Sequence, residues 1–321
     1  MSTKRRIQLT TSTSAPAAGK TFTILGKMNL RYHQIIIDYC DSFSSAARLG
    51  GTDGTGIGAT TAGPLVNDIR VMANQKAIRT HNAFELDALN KSNGNQYAFQ
   101  TSGAGLTLKQ RMTIFFAEAW RKNPADQDAL AFSATEANGL DKDSFKIELD
   151  LAALAGNTGN PANVPVINAY AIVDDPIDVP GGQLLSKVYR QQITVGGTGI
   201  DVAVAAKDWL QAVYLRNPST SGLIIKAILK RQGITFNELP ASVNGSWLTN
   251  MDMQPLETIT GAALAGGFGY SLILDHDDPI NSALAMKNAG GGAYDFDLHV
   301  DFDVAAAGNM YALYQKLGKL D

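Results

Sequence analysis

Residues 293–307 read AYDFDLHVDFDVAAA. Phe296, Leu298, Val300, Phe302 and Val304 alternate with Asp295, Asp297, His299, Asp301 and Asp303. A period of two puts the five apolar side chains on one face and the five polar ones on the other, which predicts a half-buried strand. A helix would scatter the same residues around its circumference.

The chain writes this strand twice. Phe145–Ala153, FKIELDLAA, has the same alternation, and Glu148 to Ala153 matches Asp301 to Ala306 residue by residue in type. Upstream of the first copy lies Asn123-Pro124-Ala125-Asp126, then Ala129-Leu130-Ala131. Upstream of the second lies Asp278-Pro279-Ile280-Asn281, then Ala283-Leu284-Ala285. An Asn or Asp followed by Pro is a helix-start signal, so a helix is expected at each place. Leu130 precedes Phe145 by 15 residues and Leu284 precedes Leu298 by 14. Apolar strands are expected before each helix, at Met112–Ala117 and Tyr270–Leu274, and after each amphipathic strand, at Val166–Val173 and Met310–Leu317. Ile69–Ile78 with its capping pair Asn82 and Glu85 corresponds to Leu223–Ile234 with Thr235 and Glu238. A period of roughly 150 residues is far longer than a solenoid repeat and points to a duplicated domain.

At 321 residues the chain has room for two domains, each with its own core. Hydrophobic residues make up 45% and charged residues 18%. A charge share below the usual quarter suggests that much of the surface meets other protein. The net charge of −3 excludes a chain-wide basic field for nucleic acid. Cys40 is the lone cysteine, so no intrachain disulfide is expected. No apolar run is long enough to span a bilayer as a helix, and the Thr/Ser-rich Gln8–Ala18 does not read as the core of a signal peptide, so a cytosolic origin is expected.

Taken in order, residues 1–20 are basic at Lys4, Arg5 and Arg6, then Ser/Thr/Ala/Pro-rich, and are expected to form a flexible arm. Strands follow at Thr21–Leu25 and Tyr32–Tyr39, where Ile35, Ile36 and Ile37 in succession suggest cover on both faces. Ser44–Gly63 is glycine-rich, but Gly54, Gly56 and Gly58 lack the spacing of a nucleotide-binding fingerprint, so a long surface loop is expected. Asp68–Arg79 reads as a hairpin about Ala73-Asn74-Gln75-Lys76, followed by a capped helix at Asn82–Asn90. Asp174–Gly182, DDPIDVPGG, marks a domain boundary, giving domains 21–178 and 179–321. Strands are expected at Gln183–Val195, Ile200–Ala205, Trp209–Leu215 and Leu223–Lys230, and a second long loop at Ser246–Gly267. About eight strands per half and few short helices favour β-sandwiches over βαβ units.

Chemistry-bearing motifs are absent. His33, His81, His276 and His299 show no ligand spacing, Cys40 has no CxxC partner, and neither GxSxG nor a Walker motif occurs. Asp278 is expected as a helix cap and not as a metal ligand beside His276. Carboxylates at alternate positions of the strand Asp295–Asp303 stand about 7 Å apart, too far for several to share one ion unaided. No catalytic residue, metal or cofactor is expected, and no acid–base carboxylate pair supports a hydrolase.

The FFAEAW strand with NPADQDALA, the FKIELDLAA strand, SLILDHDDPINSALA with FDLHVDFDVAAA, and a basic arm before both halves together resemble the double jelly-roll major capsid proteins. These occur in tailless icosahedral phages with an internal membrane, of the tectivirus and corticovirus kind. The resemblance is one of layout over nearly the whole chain. It implies an all-β fold of two tandem jelly rolls with short flanking helices, and a non-enzymatic capsid subunit forming homotrimeric, pseudo-hexagonal capsomers in an icosahedral virion. It further implies neighbouring capsomers, penton or minor capsid proteins, and anionic lipid of an inner membrane as partners, assembly in host cytoplasm, and an arm whose Lys4, Arg5 and Arg6 face that membrane. The alternative is a carbohydrate- or receptor-binding β-sandwich such as a phage spike. Against it, aromatic residues are only 8%, and Trp120, Trp209 and Trp247 sit in or beside apolar runs where packing explains them.

Overall fold

The computed structural model describes residues 3–11, 16–17, 19–41, 66–93, 100–101, 108–121, 124–151, 166–217, 222–250, 253, 268–274, 283–287 and 290–320. The Gly54–Gly58 stretch, most of the expected Ser246–Gly267 loop, and the His276-to-Pro279 turn lie outside them. Two compact units divide the chain: Met1–Asn90, Asn95–Ser186 and Lys319–Asp321 form the first, and Lys91–Gly94 with Lys187–Gly318 the second.

In the first unit, β1 (Arg5–Gln8), β2 (Thr10–Thr11), β3 (Thr21–Leu25), β4 (Leu30–Asp41), β5 (Val66–Ala73) and β6 (Lys76–His81) precede helix α1 (Ala83–Ser92). Then come β7 (Gln100–Thr101), β8 (Leu108–Phe115), the single turn α2 (Pro124–Gln127), β9 (Phe132–Ala134), β10 (Lys146–Leu151) and β11 (Val166–Asp174). One sheet runs β1-β11-β4-β8-β7 with β9 also on β4; the other runs β6-β5-β10-β3-β2. Ile147, Leu149 and Leu151 of β10 alternate inward as the sequence pattern requires. Tyr32, Phe116, Phe132 and Phe145 form the aromatic centre of this core, with ring centroids 4.7 to 6.4 Å apart.

The second unit takes β12 (Leu185–Ala203) from Lys187 onward, β13 (Trp209–Arg216), β14 (Ile224–Arg231), β15 (Ile234–Asn237), α3 (Ala241–Asn250), β16 (Phe268–Ile273), β17 (Leu284–Ala285) and β18 (Phe296–Gly318). Its strands pair as β15-β14-β18-β12 and as β13 with β16, β17 and the end of β18. The pairing plan is that of the first unit. There β4 is paired to β8, β9 and β11; here β13 is paired to β16, β17 and β18. There β10 lies between β5 and β3; here the start of β18 lies between β14 and β12. Both hairpins turn through two residues of positive φ, Asn74-Gln75 and Gln232-Gly233, the mirror-image turn that matches strand twist. Each helix is tied by a buried asparagine to the corresponding strand: Asn90 Nδ2 donates to Thr113 O (2.9 Å) and Asn244 Nδ2 to Ser271 O (2.7 Å).

Phe296, Leu298, Val300 and Phe302 are buried as the alternation requires. Each contributes about 1.5–3 kcal/mol of transfer free energy, an upper figure that assumes a fully extended unfolded chain. Val304, expected on that face, is 53% exposed. The alternation breaks because β18 leaves one partner for another: residues to Phe302 pair with β14 and those from Tyr311 with β13, and Gly308 between them has φ 102°.

Several local expectations change. The capping pair Asn82 and Glu85 is present, each donating its backbone N–H to the other's side chain (2.9 and 2.7 Å). Thr235 instead lies in β15 and Glu238 pairs with Lys226, so the later helix starts at Ala241 and runs to Asn250, into the expected loop. The Pro124 helix stops after one turn: Ala129 to Ala131 lead into β9, and Leu284–Ala285 is a strand on β13. A short apolar Ala-Leu-Ala triplet suits strand or helix equally, and sheet pairing decides. Gln183 to Ala205, expected as two strands, contains the single strand β12. Ile36 is half-buried while Ile35 and Ile37 are fully buried, so β4 is not sealed on both faces. The expected boundary at 174–182 is laced onto the first unit: Val179 N donates to Asn138 Oδ1 (2.9 Å), Ile177 N to Ser133 Oγ (3.1 Å), and Ser133 N to Gln183 Oε1 (2.8 Å). The unit closes at Ser186.

Candidate functional site

Two charged clusters involve the residues that the sequence singles out. The first gathers around the basic N-terminal segment. Arg5–Gln8, expected as flexible arm, is an edge strand: Arg5 pairs with Val173 and Gln8 with Tyr170, and Leu9 N donates to Ala169 O (2.9 Å). Ile7 packs on the core and Leu9 is 3% exposed, whereas Arg6 and Gln8 face solvent. The signal was present as Arg6-Ile7-Gln8-Leu9, a short period-two run hidden by the polar stretch after it.

Lys4 Nζ lies 2.9 Å from Asp128 Oδ1, and Arg5 Nη2 3.9 Å from Asp175 Oδ1. The same Asp128 oxygen is 3.0 Å from His33 Nδ1, and His33 Nε2 is 3.1 Å from Asp174 Oδ2. Arg31 donates to the Asp128 carbonyl and stands 3.9 Å from Asp174 Oδ2. Burial pushes the Asp128 carboxyl up, but the Lys4 and His33 contacts prevail and hold it below the ordinary carboxylate range. His33 is 4% exposed and Asp174 5%. These contacts tie β1, β4, the α2 turn and the end of β11 together.

The second cluster lies on the outer face of the amphipathic strand. His299 on β18 has Nδ1 2.6 Å from Asp201 Oδ1 on β12 and Nε2 3.0 Å from Asp301 Oδ1. Asp303 Oδ1 accepts from Leu223 N (2.7 Å), and Lys226 and Lys230 of β14 are paired in register with Asp301 and Asp297. Asp301 meets His299 and Asp303 meets backbone N–H groups, so the two are used separately. Among the described residues no group of three or more His, Cys, Asp or Glu side chains could hold a metal ion. In the first unit the matching positions carry Lys146, with Nζ 2.8 Å from Glu148 Oε1, and Arg70, bidentate on Asp150 at 2.6 and 3.0 Å. Of the three tryptophans assigned to packing, Trp120 meets Phe115 edge-on at 5.5 Å, whereas Trp209 is 46% exposed. Among the described residues no helix is long and apolar enough to cross a membrane.

Two units of antiparallel sheet with one pairing plan, joined in one chain, define a double jelly roll. Solved structures agree on the fold. The major capsid protein P2 of bacteriophage PM2 is 12% identical with a TM-score of 0.68, covering 99% of this chain and 98% of that one. The major capsid protein of Sulfolobus turreted icosahedral virus gives 14% and 0.64, covering 98% and 96%. Vp54 of PBCV-1 gives 9% and 0.58, covering 99% and 94%. No curated protein sequence matches the chain. Residues 8–174 match the family of the viral coat protein P2 N-terminal domain, and the chain belongs to that family. It is a viral coat protein, a structural component of a virion.

Proposed function

We propose that three copies of this chain close into a capsomer with six jelly-roll walls, that such capsomers tile an icosahedral shell together with penton or minor capsid proteins, and that the shell encloses a membrane. Assembly takes place in host cytoplasm. The observation that carries this reading is the duplicated pairing plan, each copy with its own core. One chain supplies two similar walls, so a threefold ring supplies six, which suits a tile with six neighbours. The duplication also supports two domains, divided in the chain after Ser186, as equivalent bodies that superpose with β10 over the start of β18.

Lys4, Arg5 and Arg6 are exposed and form the basic surface assigned to anionic lipid. A basic residue near such a surface contributes about 1 kcal/mol. Lys4 and Arg5 already face Asp128 and Asp175, so one chain alone binds weakly, and many chains in a shell bind together.

Sedimentation of purified protein should give a mass three times 34.1 kDa or a larger assembly; a monomer at all concentrations overturns the capsomer. Replacing Lys4, Arg5 and Arg6 by Ala should leave that mass unchanged and weaken flotation with anionic vesicles at low salt. Equal flotation of variant and parent overturns the lipid contact while leaving the capsomer standing.

A further inference from the structure

In the second unit β12 is the strand hydrogen-bonded to β18 on the side away from β14. Gly196, Gly197 and Gly199 lie within it, with Gly197 at φ 114°. Glycines remove the side chains through which a strand grips its neighbour. Beyond the backbone ladder, Val195 and Val202 of β12 are buried in the core of the second unit, and His299 grips the strand on its outer face. Its ring lies close to Gly199, where a Cβ would stand 3.1 Å from Nε2. One ring nitrogen reaches Asp201 on β12 and the other reaches Asp301 on β18 itself.

The groups around the ring are few. Asp201 comes from β12, and Asp297 and Asp301 from β18. From β14, Ile228 is opposite His299, Lys226 opposite Asp301 and Lys230 opposite Asp297. The Lys226 ammonium lies 2.8 Å from Glu238. The two groups in contact with the imidazole are therefore both carboxylates. With 35% of its side chain exposed, His299 can exchange protons with water.

We propose that His299, Asp201 and Asp301 form a protonation-dependent latch that holds the glycine-rich part of β12 against β18. An imidazolium donates two N–H bonds, one to each carboxylate, and closes the latch. A neutral ring has one N–H, so one carboxylate then faces a lone pair and that side opens. The first unit provides the contrast, because the matching position there holds Lys146, paired with Glu148. The hydrogen bond to Asp201, opposed by burial and aided by the charges of Asp301 and Asp201, raises the His299 pKa. A raised folded-state pKa gives stabilisation that is complete below the unfolded value of about 6.5 and is lost as pH rises through the folded one.

Hydrogen exchange of the full chain tests this, read on peptides covering Val195–Ala203 from about pH 5 to about pH 9 and corrected for intrinsic rates. Protection of β12 in the parent should fall about 1.5- to 5-fold as His299 loses its proton, the range expected of an exposed ion pair. His299→Gln should be weakly protected at every pH, and His299→Lys strongly protected at every pH. Asp201→Asn should reduce the step in the parent background. A flat parent profile, or a step that persists in His299→Gln, overturns the latch. The readout needs no assembly, so it stands or falls apart from the capsomer.

Discussion

Gly26 and Phe145 should be coupled so strongly that their effects on stability fail to add. A Cβ built on Gly26 falls 2.0 Å from Phe145 Cδ1 and 2.7 Å from Cε1, well inside contact distance. Gly26 N donates to Phe145 O (3.0 Å), so the backbone cannot slide away from the ring. The ring is 2% exposed and stacked edge-on against Tyr32 and Phe132 at 4.9 and 4.7 Å, so it cannot rotate clear either. Gly26→Ala should cost about 1–3 kcal/mol as overpacking. Phe145→Ala should cost about 3–5 kcal/mol as a lost aromatic and a cavity. In the double variant the added methyl enters the vacated space, so its total should lie near Phe145→Ala alone, a coupling of about 1–3 kcal/mol. Urea unfolding followed by Trp120 fluorescence, with Trp209 and Trp247 changed to Phe, reads the first unit. With a slope of about 2 kcal/mol per M, Phe145→Ala should move the midpoint by about 2 M. If the two single effects simply sum in the double variant, the packing argument for Gly26 is wrong.

Asn244→Ala should cost about 1–3 kcal/mol, because it removes a buried hydrogen bond to the Ser271 carbonyl; urea unfolding checks it. Gln75→Gly should stabilise by about 0.5–1 kcal/mol, since Gln75 has φ 61° in the hairpin turn and Asn74, whose side chain holds Gly139 and Asp141, is kept. Burial lowers the Lys316 amine to about 8, with Asp208 opposing and Lys207 adding to the shift. Between that value and about 10.4 the unfolded chain binds more protons, so stability should rise with pH there; Lys316→Met should abolish the rise in thermal melts.

The alternation of Phe296–Phe302 and its echo at Ile147–Leu151 specified the central strand of each jelly roll, because a strand buried on one face must obey the period of two. The Asn82–Glu85 cap and the Asn74 turn were legible for the same reason: a local rule meets no stronger tertiary one. Where tertiary pairing outweighs local preference, sequence reading failed. Ala129–Ala131 and Leu284–Ala285 have helix-compatible composition but lead into or form strands paired with β4 and β13. The clusters at His33 and His299 join residues 95 and 98 positions apart, and no local pattern announces such a meeting.

The basic residues of β1 have two physical readings that predict different outcomes. An exposed edge strand invites pairing with another chain, and charged side chains on it prevent that. The same cations attract anionic lipid. Edge protection depends on the presence of charge and not on its sign, whereas lipid attraction needs positive charge. Arg6 is the informative position, since Lys4 and Arg5 are engaged with Asp128 and Asp175 and replacing them would also disturb the His33 cluster. Arg6→Glu keeps a charge on the solvent face of β1 in register with Ile172. It should therefore leave the protein as resistant to aggregation as the parent, while reducing flotation with anionic vesicles at least as far as Arg6→Ala does. If Arg6→Glu floats as well as the parent at low salt, the cations of β1 serve the edge alone, and the proposed lipid contact falls.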